Sequence, residues 1–202
     1  MKNKIEINKN EKIVIASNNK GKVKEIKDLL EPLSLKTISV SKFSIIEPKE
    51  NGTNFKENAL IKARSAHKLS GLNSLSDDSG LCIEALGGQP GIFSARWAGK
   101  EKNFSKAMNT IKKKLKNKTN TNAYFICALA LITKDKKEFC FTGKIHGYIS
   151  FPAKGHNGFG YDPIFIPKNF SKTFGEMPSP QKELISHRTL AFNKFKESII
   201  VK

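Results

Sequence analysis

Lys12-Ile-Val-Ile-Ala-Ser-Asn-Asn-Lys-Gly-Lys-Val-Lys-Glu-Ile-Lys-Asp-Leu-Leu30 reads as three elements in succession. Lys12 to Ala16 is a short apolar run of the kind that forms a buried strand. Ser17 to Lys22 is polar and carries a glycine, as a tight loop does. From there Val23, Ile26, Leu29 and Leu30 fall on one helical face, while Lys24, Glu25, Lys27 and Asp28 face water. The start of the chain is therefore strand, tight loop, helix.

Working outward, a second helix fits Phe55 to Leu69, with Thr53 or Asn54 as N-cap and Phe55, Ala59, Ala63 and Ala66 as the inward stripe. Its small alanines suit close packing on a sheet. Asn73 to Ser79 reads as a short strand ending in a loop at Asp77-Asp-Ser-Gly80, and Phe104 to Lys116 as a lysine-rich helix. Ala123–Ile132 and Lys137–His146 alternate as two strands around Thr133–Lys136, so a hairpin is expected. Phe151 to Pro167 is crowded with Gly and Pro, which predicts a shaped loop enclosing a short strand. A last helix is expected from about Ser186 to Glu197. Residues 1–11 read as a flexible basic leader, residues 12–202 as a single domain, and no internal repeat interrupts them.

At 202 residues the chain is near the top of the single-domain range of roughly 100–200. With 38% hydrophobic and 27% charged residues it can bury a core without a disulfide or metal staple. Its 36 Lys+Arg against 18 Asp+Glu give a formal charge of +18, which attracts polyanions. Arginine occurs only at Arg64, Arg96 and Arg188, so the excess is scattered lysine. Nucleic-acid readers cluster arginine among exposed aromatics, and that pattern is missing, so no specific nucleic-acid partner is expected. Cys82, Cys127 and Cys140 are odd in number and lack paired spacing, which points to buried thiols in a reducing compartment and hence to the cytoplasm. Met1 to Asn10 has no apolar signal stretch. The longest apolar run, Ala123–Ile132, is about half the roughly 20 residues of a membrane span, so no membrane association is expected.

Four stretches carry side chains suited to chemistry. Ser17-Asn18-Asn19-Lys20-Gly21-Lys22 offers backbone amides at a helix start, hydroxyl and amide groups, a flexible glycine and lysine charge, all suited to a polyphosphate. It is not a Walker loop, because Val23 follows Lys22 where that motif places Ser or Thr; the same residues also suit a plain helix cap. In Asp77-Asp78-Ser79-Gly80, adjacent carboxylates on extended backbone point to opposite faces, so one can hold a metal or polarise water while the other is anchored. Magnesium takes a few carboxylates plus substrate phosphate oxygens, and Glu50 is a candidate second ligand; a simple Asp-Ser-Gly turn is the alternative. Asn58 and Lys62 share a helix face, from which Lys62 can neutralise phosphate or simply face solvent. Gly158-Phe159-Gly160-Tyr161-Asp162-Pro163 combines close backbone approach, two aromatics able to stack on a base and a carboxylate able to accept from a ring N–H; an aromatic turn packed into the hydrophobic core is the alternative. Lys182, His187 and Arg188 add donors, although His187 equally suits a helix cap or the core. A donor to a purine 6-oxygen rejects adenine, whose amino group would leave it unpaired.

Taken together, Ser17–Lys22, Asn54–Arg64, Asp77–Leu81, Gly87–Arg96, Gly158–Phe165 and Ile185–Arg188, in that order, resemble the inosine/xanthosine triphosphate pyrophosphatase family of house-cleaning enzymes. The resemblance implies a two-lobed α/β fold, with an elongated mixed β-sheet flanked by helices, a deep active-site cleft between the lobes, and a homodimer. It implies that Ser17 to Lys22 bind the triphosphate with help from Lys62. Glu50 and Asp78 would hold magnesium, Asp78 would act as general base and Asp77 would support them. Ser79 would touch the substrate, while Phe159, Gly160, Tyr161, Asp162, Lys182, His187 and Arg188 would form the base pocket, with Arg96 a lesser contributor. The implied reaction is water attack at the α-phosphorus of inosine, deoxyinosine or xanthosine triphosphate, releasing pyrophosphate. Lys144 and His146 stand where the family pattern has acidic residues.

Overall fold

The computed structural model describes residues 4–44 and 46–202. The chain runs through β1 (Ile5–Ile7), β2 (Lys12–Ile15), α1 (Lys20–Leu30), β3 (Lys36–Ser39), α2 (Phe55–Ser70) and β4 (Asn73–Ile83). It continues through α3 (Ser94–Trp97), α4 (Phe104–Leu115), β5 (Asn122–Ile132), β6 (Glu138–Ile149), β7 (Phe165–Pro167), α5 (Ser179–Ile185), α6 (His187–Ser198) and β8 (Ile199–Val201). The fold is mixed α/β. A six-stranded sheet has the order β3-β2-β4-β5-β6-β7, in which β2 pairs in parallel with β3 and β4, and β6 antiparallel with β7. No helix among the described residues is long and apolar enough to cross a membrane.

The chain forms two compact units whose borders fall inside β4, β5, β6 and α6. The first contains the chain up to Asp78, Ala128–Thr142 and Leu190–Lys202; the second contains Ser79–Cys127 and Gly143–Thr189.

In the first unit the pairing of β2 with β4 puts Ile15 beside Leu75, so residues of matching parity share a face. Val14 and Ala16 pack with Ala66 of α2, and Ala59 and Ala63 pack with Ala128, Ala130 and Ile132 of β5. Alanines let the helix axis approach the sheet closely, close enough for Ser76 Oγ to donate to the Ala59 carbonyl at 2.5 Å. Helix α2 begins as its sequence dictates. Asn54 Oδ1 accepts from Glu57 N at 3.0 Å, and the Glu57 carboxylate returns to Thr53 N at 2.6 Å.

In the second unit the core gathers Leu81 and Ile83 of β4, Ala107, Ile111 and Leu115 of α4, Phe125 of β5 and Ile149 of β6, with Phe165 and Phe174. Phe125 meets Phe165 edge-on at 4.7 Å between ring centroids.

Two features differ from the sequence reading. Residues 5–7 are not a frayed leader: Ile5 and Ile7 are buried and β1 pairs in parallel with β8 at the far end of the chain. Residues 1–3 lie outside the described residues. Asp77–Gly80 is not a loop either, since β4 runs unbroken through it. Local propensity favours a turn for Asp-Ser-Gly, but here the polar side chains are buried and partnered, and tertiary contacts override propensity.

Candidate active site

The first unit assembles a carboxylate and lysine cluster around β4. Because side chains alternate along a strand, Asp77 faces α1 together with Leu75, while Asp78 faces α2 together with Ser76. Each meets a lysine from the helix on its side. Lys22 Nζ of α1 lies 3.1 Å from Asp77 Oδ1, and Lys62 Nζ of α2 lies 3.2 Å from Asp78 Oδ1 and 2.6 Å from Glu50 Oε1.

The loop before α1 is shaped by its own polar groups. Ser17 Oγ accepts from Asn19 N at 3.2 Å, Asn19 Oδ1 accepts from Lys22 N at 3.2 Å, and Asn18 N donates to Glu47 Oε1 at 3.0 Å. The N-cap is Asn19, so Lys20, Gly21 and Lys22 form the first helical turn rather than loop. That turn carries the positive end of the helix dipole. Ser17 to Lys22 thus sit at a helix start as expected, with Lys22 committed to Asp77.

Burial disfavours charge on Asp78, and neighbouring Glu50 and Asp77 add to this; Lys62 and Lys22 oppose it, yet the carboxyl stays above its usual pKa. For Lys62 burial works downward, but Asp78, Glu50 and Asp77 together outweigh it and hold the ammonium above the usual lysine value. Asp78 Oδ2 is buried with no hydrogen-bond partner. Such an oxygen, beside a Glu50 side chain that is 28% exposed, suits a hard divalent cation. Among the described residues no three His, Cys, Asp or Glu side chains converge to hold a metal alone. The donor set fits a magnesium ion that takes one or two carboxylates and completes its shell with water and phosphate.

The second unit collects the remaining expected residues around Asp162 and Arg188. Asp162 Oδ2 accepts from Lys182 Nζ at 2.7 Å and from Phe159 N at 2.8 Å. Gly158 makes this possible: its φ is +74° and a Cβ there would lie 2.1 Å from Asp162 Oδ2. The Phe159 ring is 36% exposed, with Lys182 Nζ 4.9 Å and the Arg188 guanidinium 6.0 Å from its centroid. Arg188 Nη2 donates to Ser79 Oγ at 3.3 Å. Ser186 Oγ accepts from Thr189 N and so caps α6, placing His187 and Arg188 in its first turn.

Tyr161 follows the core-packing alternative and not the stacking role. It is buried, its hydroxyl donates to the Ser94 carbonyl at 2.8 Å, and its ring meets Phe104 edge-on. Burial holds its hydroxyl above the usual tyrosine pKa. It anchors the loop that carries Gly160 and Asp162. Arg96 packs its guanidinium 5.0 Å from the centre of the Phe93 ring. Phe125 was not singled out by the sequence, yet His187 stacks on it at 5.0 Å and 15°. Its place within an apolar strand gives no hint of that contact.

Comparisons with known proteins bear on the family and the fold. The Ham1 family model matches residues 13–198. A dITP/XTP pyrophosphatase of Rhizobium meliloti is 42% identical over 93% of this chain and 95% of its own. One of Rhodospirillum centenum is 45% identical over 90% and 91%. Among solved structures, a HAM1 protein from Coxiella burnetii superposes with a TM-score of 0.86 at 38% identity, covering 93% of this chain and 97% of its own. The Staphylococcus aureus Ham1 protein gives 0.84 at 37%, with the same coverage. The match begins at the strand that leads into the Ser17–Lys22 turn and ends within the helix that carries His187 and Arg188, and on that extent the chain belongs to the Ham1 family.

Proposed function

We propose that this chain hydrolyses inosine, deoxyinosine and xanthosine triphosphates to the monophosphate and pyrophosphate. The observation that carries the reading is Asp78, a buried carboxylate with one unpartnered oxygen, held on a continuous strand beside Glu50 and Lys62. The names of the relatives support the substrate class.

In this reading the Asp78 carboxylate takes a proton from a water molecule. The water oxygen forms a bond to the α-phosphorus while the bond from that phosphorus to the bridging oxygen breaks, and pyrophosphate departs with the electron pair. Desolvation raises the basicity of Asp78, which suits proton abstraction. Glu50 and Asp78 would hold magnesium; when bound, the ion neutralises charge on the phosphates and lowers the pKa of water. The first turn of α1, from Lys20 to Lys22, offers backbone N–H groups and positive charge to the polyphosphate. Lys182, His187 and Arg188 supply donors for a 6-oxo purine, and Phe159 supplies an exposed face for stacking.

The enzyme is read as cytoplasmic and homodimeric. Its cysteines, all free, suit a reducing compartment; the dimer rests on family resemblance.

The test is pyrophosphate release with magnesium from inosine and xanthosine triphosphates against adenosine and guanosine triphosphates. Strong preference for the first pair supports the reading. Equal rates on all four would refute the base assignment, and no release from any would refute the reaction.

A further inference from the structure

Asn58 lies on the face of α2 that carries Lys62, one turn earlier, and is fully buried. Its amide is half used. Oδ1 accepts from Gly52 N at 2.9 Å, while Nδ2 is buried without a hydrogen-bond partner. Gly52 belongs to the segment that delivers Glu50 to Lys62, and the approach is tight. A Cβ at Gly52 would lie 2.6 Å from Glu57 Cβ and 2.8 Å from Asn58 Oδ1. The loop is therefore held against the helix at Gly52 by this amide oxygen, next to the Glu57 carboxylate that holds Thr53 N.

If packing were the whole role, a buried alanine like its neighbours Ala59 and Ala63 would serve without an unsatisfied donor. Asparagine supplies an acceptor for Gly52 and retains two N–H bonds, one turn before the lysine that contacts both carboxylates read as the cation site. We infer that Asn58 acts twice: its amide oxygen positions Glu50 through Gly52, and its amide nitrogen donates to a phosphate oxygen of the magnesium-bound polyphosphate. The second part rests on the nucleotide-hydrolysing reading.

The experiment compares the full chain with N58D, N58A and G52A. Two readouts are used: the rise in melting temperature on adding magnesium pyrophosphate, and kcat and KM for inosine triphosphate across a magnesium titration. N58D keeps the oxygen that holds Gly52 and replaces the donor. It should melt near the parent without ligand, lose the pyrophosphate-induced rise, and fall about 10- to 100-fold in kcat/KM, as expected for a lost hydrogen bond to a charged group. G52A keeps the donor but displaces the loop, so it should need about 10-fold more magnesium for half-maximal rate. N58A should show both defects.

A purely structural asparagine would give the opposite for N58D, which would then keep the pyrophosphate-induced rise and kcat/KM within about two-fold of the parent; that result overturns the donor role. Unchanged magnesium demand in both G52A and N58A overturns the positioning role. A parent stabilised by magnesium pyrophosphate but inert toward every nucleotide would sink the hydrolase reading while leaving the Asn58 assignment standing. A parent that shows neither response removes both.

Discussion

Lys22 Nζ and Asp77 Oδ1 stand 3.1 Å apart, tying the first turn of α1 to the middle of β4 through a pair whose acid is fully buried. Removing one partner strands the other charge, which costs about 3–5 kcal/mol. D77A and K22M should each lose about that much in urea denaturation. The double replacement of Lys22 by Met and Asp77 by Leu should recover most of it. If the single variants unfold within about 0.5 kcal/mol of the parent, the pair does not hold α1 in place.

Asp78 leads to a trade between stability and activity. Its pKa is raised in the folded chain, so the native state binds more protons than the unfolded state between the two values. Stability tied to this group is therefore highest below the unfolded pKa of about 3.9 and is lost as pH rises through the folded value. Without metal, D78N should melt higher than the parent at pH 7 and converge with it in acid. In magnesium-dependent hydrolysis the same variant should lose at least about 100-fold, the low end for a general base. Calorimetry across pH and a pyrophosphate-release assay check the two halves separately.

The Lys182 and Asp162 pair is buried, with 2.7 Å between Nζ and Oδ2. K182M would leave Asp162 with the Phe159 N–H and remove one donor from the base side. The ratio of kcat/KM for inosine over adenosine triphosphate should fall at least about 10-fold, because an unpaired donor is what rejects the amino group. An unchanged ratio would remove Lys182 from base recognition.

Cys82 is buried and its thiol is pushed above the usual cysteine pKa, chiefly by desolvation and against a hydrogen bond from Tyr124. Tyr124 is itself raised to about 12 and has Lys144 Nζ 4.0 Å from its ring centre. With little thiolate at pH 8, Cys82 should react with a thiol reagent about 10-fold or more slowly in the native chain than after unfolding in urea. Mass spectrometry of alkylated peptides would settle which sulfur reacts.

Helix α2 was legible to within a residue, since its periodicity, a cap at Thr53 or Asn54 and its alanine stripe are all local signals; the structure makes Asn54 the cap. The hairpin strands were read to within a few residues for the same reason. Spacing put Asn58 and Lys62 on one face but left open whether Lys62 met solvent, and the structure buries it between Glu50 and Asp78. What stayed hidden depends on distant partners. Ile5 and Ile7 look like part of a basic leader until β8 pairs with them. Asp77 and Asp78 look like a turn until lysines from two helices reach them. Tyr161 looks like a stacking residue because its real acceptor, the Ser94 carbonyl, is backbone and leaves no mark in the sequence.

The pairing of β1 with β8 gives assembly an order in time. A ribosome delivers residues from the N-terminus onward, so β1 is made early and must wait for Ile199–Val201. By then every residue of the second unit has been synthesised. A released chain lacking Ile199–Val201 should therefore leave Ile5 and Ile7 accessible to protease. The last strand works as a clasp that translation alone can close.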